Sequence, residues 1–245
     1  MKIIVVSNYD EMSKIAAEFI GKEIKSKRNS VLGLATGGTP LGTYTKLIQM
    51  HKKGELDFTS VKTFNLDEYL GLSPKDKNSY HFFMWDNLFK HININPANVQ
   101  IPKGDTDNPA KFCQWYEDRI KQAGGVDLQL LGIGRDGHIA FNEPGSPFDS
   151  RTRIVGLSQE TLEDNARFFE KGQEVPCQAI TMGVGTILEA KNILLIANGA
   201  KKAEICAKFI EGQPSEEISA SALQKHKNVT IILDKEAASK LKNKV

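Results

Sequence analysis

The chain has 245 residues and nearly balanced charge, 32 Lys and Arg against 30 Asp and Glu. Area scaling for this mass leaves roughly 11,000 Å² exposed out of about 39,000 Å² in the extended chain, which excludes a disordered polymer or a small disulfide-held scaffold. A net charge of +2 without a long run of one sign argues against a grip on nucleic acid, and the apolar runs fall far short of the ~20 residues of a membrane span. The N-terminus lacks the apolar core of a signal peptide, so a cytoplasmic location is expected, with neither nucleic acid nor membrane as partner. Cys113, Cys177 and Cys206 show no CxxC spacing and read as reduced, mostly buried residues.

In chain order, 2–6 reads as a strand and 11–25 as a helix with Ile15, Phe19, Ile20 and Ile24 on one face. Further strands are expected at 31–35, 61–65, 99–101, 126–132, 154–157, 179–182, 193–197 and 229–233, with helical patterns between most of them. Runs that are apolar throughout, such as 128–133, suit a sheet covered on both faces, and alternation with helices calls for crossovers between parallel strands. The pattern predicts one α/β domain over 1–245, doubly wound around a mostly parallel, Rossmann-like sheet. Only 158–176 departs from it, being polar and without a firm core pattern, as a lid over a site would be.

Three strand ends carry chemistry. After the strand at 31–35 come Gly37, Gly38, Thr39 and Pro40. Glycines allow positive φ and close backbone approach, and the following helix N-terminus offers free N–H groups, so a phosphate monoester fits there; the alternative is a tight turn capped by Thr39. After 61–65 come Asp67 and Glu68, placed where an open α/β sheet binds its ligand. A carboxylate there, partly desolvated, can take a proton from a carbon beside a carbonyl, unless both acids merely complement a helix dipole.

The strongest local signal follows the apolar run at 128–133: Asp136, His138 and Glu143 on a glycine-flanked loop. Flanking carboxylates fix a histidine's tautomer and stabilise its cation, which suits a general acid/base working on sugar oxygens. No metal is expected, because His138 lacks a partner at HExxH or CxxC spacing. His51, His81, His91 and His226 sit in polar contexts and read as solvated. Arg167 and Lys202 are two further cations available to an anion, or ordinary surface charges.

Taken together and in order, LATGGTPLGTY, VKTFNLDEY, GIGRDGHIAFNEPGS, SRTR, ARFF and TMGVGTILEAK resemble the glucosamine-6-phosphate deaminase family over essentially the whole chain. The resemblance implies a Rossmann-like fold shared with sugar-phosphate isomerases and lactonases. It also implies conversion of glucosamine 6-phosphate and water to fructose 6-phosphate and ammonia in amino-sugar catabolism, without metal or organic cofactor. Asp67 would move a proton between C2 and C1, and His138, supported by Asp136 and Glu143, would open the sugar ring. Gly37, Gly38, Thr39, Arg167 and Lys202 would hold the phosphate, with 158–176 as the lid. Longer family members are hexamers activated by N-acetylglucosamine 6-phosphate. Ser146 and Arg153 match that regulatory site, but Pro147 replaces an expected serine and Val155 an expected lysine, so little activation and a monomer or small homo-oligomer are expected. Two rivals are a 6-phosphogluconolactonase, which shares the GxGxDGH loop, and a sugar-phosphate-binding regulator without catalysis.

Overall fold

Strands that are apolar on both faces must be covered on both, and the computed structural model, which describes residues 1–166, 169 and 174–242, is built that way. The first half runs β1 (Lys2–Val6), α1 (Tyr9–Ser26), β2 (Val31–Leu34), α2 (Leu41–Lys52), β3 (Lys62–Asn65), β4 (Asp67–Tyr69), α3 (Tyr80–Asn87), β5 (Val99–Gln100) and α4 (Pro109–Gln122). The second runs β6 (Leu128–Leu131), β7 (Arg153–Gly156), α5 (Gln159–Ala166), β8 (Gln178–Thr181), α6 (Val184–Leu188), β9 (Asn192–Ala197), α7 (Ala203–Glu211) and β10 (Val229–Asp234).

Seven strands form a parallel sheet in the order β1-β10-β9-β6-β2-β3-β5. Alternation along β9 divides its side chains between two cores. Leu194 and Ile196 pack with Met12, Ile20, Tyr44 and Met84 from α1, α2 and α3. Ile193 and Leu195 pack with Tyr116, Ile187 and Phe209 from α4, α6 and α7. The chain leaves β2 towards β5 and then crosses back to β6 on the other side, so the winding reverses between β2 and β6. That reversal opens a crevice at the carboxyl ends of the strands. The expected doubly wound fold is therefore present.

Helix α1 begins where Asn8 accepts a hydrogen bond from Glu11 N and Glu11 in turn accepts from Ser7 N, side-chain caps for otherwise orphan donors. Its buried face centres on Met12, Ala16, Ala17, Ile20 and Ile24, with Ile15 and Phe19 at the margin. Beneath the crevice, the phenols of Tyr44 and Tyr116 donate to the carbonyls of Ala35 and Asn65, just past β2 and at the end of β3.

A second, antiparallel sheet, β4-β8-β7, was not foreseen. Two of its strands were expected at 154–157 and 179–182, and β4 replaces what reads in sequence as a strand-to-helix turn. Its anchor is Glu117 of α4, 5% exposed, which accepts from Arg151 Nε at 3.1 Å, Thr152 N at 2.9 Å and Thr186 Oγ1 at 2.6 Å. Register then sets Asp67 opposite Thr181, and Thr181 opposite Arg153.

Of the four histidines expected to be solvated, His91 is exposed and His51, His81 and His226 are half-buried, and all four also meet a backbone carbonyl. Ring nitrogens of His51, His81, His91 and His226 lie 2.8–3.2 Å from the carbonyls of Leu56, Pro74, Asp86 and Ala190. Each holds a turn or helix end, and a polar sequence context does not report such backbone partners.

Candidate active site

The loops that follow β2, β3, β6 and β9 enclose a cavity of about 850 Å³. Gly37, Gly38 and Thr39 line it, as do Asp67, His138 and Lys202. Arg167 lies outside the described residues. Gly37 has φ of +95°, a conformation glycine adopts without the cost a side chain would add. No side chain caps the N-terminus of α2, so Thr39 is not a cap. The Tyr9 hydroxyl accepts from Gly42 N at 2.8 Å and donates to Gly38 O at 3.2 Å, fixing the turn against the helix.

Asp67 and Glu68 divide their labour. Both are buried, at 5% and 1% exposure, but Asp67 lines the cavity whereas Glu68 accepts hydrogen bonds from the N–H groups of Tyr69, Tyr80 and His81, each at 2.9 Å. The helix-dipole role thus belongs to Glu68, acting on α3. Burial, and then the neighbouring charge of Glu68, push the Asp67 carboxyl up to about 8, into the range where a carboxylate is a useful base near neutrality.

The loop after β6 holds its histidine from several sides. Gly134 N donates to His138 O at 2.8 Å, and a Cβ on Gly134 would come within 2.4 Å of the His138 ring, so only glycine fits there. Ile139 N donates to Ser219 Oγ, Phe141 N to Thr181 Oγ1, and Asn142 Nδ2 to the carbonyls of Ile139 and Met182. The bonds to Thr181 and Met182 stitch the loop to the small sheet that carries Asp67. Ala140 takes φ of +52°, a strained conformation for a residue with a side chain, of a kind that clusters at functional sites.

Asp136 and Glu143 stand behind the imidazole. His138 Nδ1 lies 2.8 Å from Asp136 Oδ1 and 3.9 Å from Glu143 Oε2. With only acceptors beside it, Nδ1 carries the ring proton and Nε2 is left for a ligand. Burial works against the charge of Asp136, but the hydrogen bond to His138 and its positive charge outweigh it and hold the carboxyl low, at about 2. Ligand atoms of Asp136, His138 and Glu143 lie within 4.8 Å of one another, close enough for a cation. However, one carboxylate already accepts from His138 N and the other from Ser158 N, which orients them for the imidazole.

Several lining groups were given no role from sequence, among them Tyr80, Arg135, Lys201 and Glu236. Tyr80 stacks on Phe141, with ring centroids 5.9 Å apart and planes 13° apart. It opens α3 directly after the cap Ser79, a position that carries no sequence signal of a site. Thr161 and Asn165 of α5 also line the cavity, so the described part of 158–176 borders the site.

Residues 7–232 match the family described as glucosamine-6-phosphate isomerases/6-phosphogluconolactonase. The chain belongs to that family. Among its members, a glucosamine-6-phosphate deaminase of Thermoanaerobacter sp. (strain X514) is 54% identical over 239 residues, covering 98% of this chain and 94% of the relative. Glucosamine-6-phosphate deaminase 2 of Bacillus subtilis (strain 168) is 51% identical over 245 residues, covering 99% and 98%. The solved structure of a monomeric glucosamine-6-phosphate deaminase superposes with a TM-score of 0.96 at 50% identity, covering 98% of this chain and 100% of that one. A 6-phosphogluconolactonase from Trypanosoma cruzi reaches 0.76 at 24% identity, covering 99% and 97%, and shares the fold.

Proposed function

We propose that the chain converts glucosamine 6-phosphate and water to fructose 6-phosphate and ammonia, as an enzyme of amino-sugar catabolism. The observation that carries this reading is that Asp67 and His138, from separate strand ends, line one cavity with the Gly37–Gly38–Thr39 turn and Lys202. The turn and Lys202 hold the phosphate, joined by Arg167 as the resemblance implies. His138 Nε2 takes the proton from the anomeric hydroxyl and returns one to the ring oxygen, and Asp136 and Glu143 stabilise the imidazolium between these steps.

Ring opening exposes an aldehyde at C1, which acidifies the C2 proton. Asp67 removes that proton, the aldehyde oxygen takes one from the C2 ammonium to give an enolamine, and Asp67 returns its proton to C1, leaving an iminium at C2. Water adds at C2, and the carbinolamine expels ammonia. No metal or organic cofactor enters this scheme. One domain over 1–245 performs it, with 158–176 as the cover of the cavity. The protein acts as a monomer in the cytoplasm. Support comes from the identity with deaminases on both sequence and structure, from Pro147 and Val155 at the regulatory positions, and from the fact that no described helix is long and apolar enough to cross a membrane.

The test is ammonia release from glucosamine 6-phosphate, with hydrolysis of 6-phosphogluconolactone as the competing assay; lactonase activity alone would overturn the reading. In the deaminase assay, Lys202→Ala should raise KM about 10–100-fold with kcat much less affected, since a charge-assisted hydrogen bond to a non-reacting phosphate contributes about 1.5–3 kcal/mol. Gly134→Ala should instead act on kcat, lowering it about 100-fold, because the displaced His138 ring is misaligned with the sugar oxygens. Circular dichroism should show both variants folded.

A further inference from the structure

Two carboxylates adjacent in sequence and both buried need a reason. Of the pair, Glu68 is the one the backbone supports. Its Oε1 accepts from Tyr69 N and Tyr80 N and its Oε2 from His81 N, while the Ser79 hydroxyl accepts from Phe82 N. Together the two side chains satisfy the first-turn donors of α3, which would otherwise be orphaned. Among the described residues no hydrogen bond is donated to the Asp67 carboxyl. N–H bonds to a buried carboxylate favour its charged form, whereas a like charge beside an unsupported carboxyl holds the proton there.

We propose that Glu68 is a positioning residue: its charge maintains the basicity of Asp67, and its hydrogen bonds seat α3 so that Tyr80 walls the cavity beside that base. The proposal rests on the reading of Asp67 as the base. The geometry links both halves. Strand β4 presents Asp67 to the cavity and Glu68 to the start of α3, and from there Tyr80 reaches the rings of Tyr69, at 4.9 Å between centroids, and Phe141. Glu68 is thus the joint between the base and the aromatic wall. The shifts of the two acids agree with this order, since burial lifts Glu68 less far, to about 7, against the pull of its three N–H donors.

Other ionisable groups surround the pair. Tyr69 shares their strand, Tyr80 and His81 come from α3, Tyr116 from α4, and Asp76 from the turn before α3. Across the cavity lie Arg135 and His138 after β6 and Lys201 and Lys202 after β9, with Tyr9 and Glu236 on the same lining. A substitution at 68 leaves the identity of all of them unchanged but disturbs the seat of Tyr80 and His81, so two variants are needed, one that removes the charge and one that keeps the charge and alters the seat.

The experiment is the pH profile of kcat/KM for glucosamine 6-phosphate in Glu68→Gln and Glu68→Asp. In Glu68→Gln the acid limb should move to lower pH by about one unit, with a roughly tenfold lower plateau as the base weakens. Glu68→Asp keeps the charge and shortens the reach, so its limb should stay in place while its rate falls. An unmoved limb in folded Glu68→Gln overturns the proposal, and if Asp67→Asn is inactive in parallel, the base assignment stands without it. Should Glu68→Gln not fold, carboxyl carbon-13 titration of the unaltered protein decides: Glu68 ionising at lower pH than Asp67 supports the proposal, and the reverse order overturns it.

Discussion

Replacing Asp67 with asparagine should abolish turnover of glucosamine 6-phosphate, by about 1,000-fold or more, while making the folded protein more stable in alkaline solution. The catalytic half follows because an amide cannot accept the C2 proton, and a positioned base supplies about 10²–10⁴-fold. Substrate affinity should change little, since the phosphate contacts lie elsewhere; isothermal titration at a concentration that saturates the unaltered enzyme checks this. Wild-type turnover by the variant would remove Asp67 from the mechanism.

The stability half follows from linkage. Burial, with the charge of Glu68 next, raises the folded carboxyl from 3.8 to about 8, so the fold binds a proton there that the unfolded chain has already released. A raised acid favours the fold below pH 3.8, where both states are protonated, and that advantage disappears as pH rises through 8. The unaltered protein above pH 8 therefore carries a buried charge that the amide lacks. Converting the displacement gives about 6 kcal/mol as an upper bound, and relaxation around the site reduces it. A gain of about 2 kcal/mol, or about 4–8 °C in Tm, is expected at pH 9, shrinking towards zero near pH 4. Calorimetry at both pH values measures it, and equal Tm at pH 9 would contradict the raised carboxyl.

His138→Gln should be the second large loss, about 100- to 10,000-fold, with a distinctive kinetic form. If the imidazole serves ring opening, the variant still processes sugar that opens unaided in water. Its rate should then stop rising as more enzyme is added, limited by the uncatalysed opening. A rate that remains proportional to enzyme concentration throughout would assign His138 to a later step instead. Asp136→Asn should lie between the two enzymes, because the acceptors around Nδ1 orient and charge-stabilise the ring without touching the sugar.

Much of the fold was legible because the parallel strands are apolar throughout and helices alternate with them. The segments at 2–6, 193–197 and 229–233 match β1, β9 and β10 within a residue at either end. Strand β4 was not legible. Asp67, Glu68 and Tyr69 make a three-residue strand opened by residues that strands disfavour, and it exists through pairing with β8 and through the donors gathered on Glu68. Both are tertiary facts with no local signature. The same blindness hid the carbonyl partners of the histidines.

At the site, the Gly37 turn, Asp67, His138 and Lys202, which motif chemistry singles out, line one cavity. Motif chemistry could not divide the roles of Asp67 and Glu68, because spacing does not tell which of two neighbouring acids faces a ligand. Nor did it mark Tyr80 or Arg135, since an aromatic residue opening a helix and a cation on a turn look ordinary until another strand end comes near.

The small antiparallel sheet also shapes how the protein can vary. Chain leaving β7 at Gly156 and chain entering β8 at Gln178 face each other in register, and Leu157 N donates to Cys177 O just beyond. A connection whose two ends are pinned in this way can be lengthened at little cost, about 0.6 kcal/mol per doubling. Residues added or removed there would leave the Ile154–Ile180 register, and so the seat of Asp67, where it is.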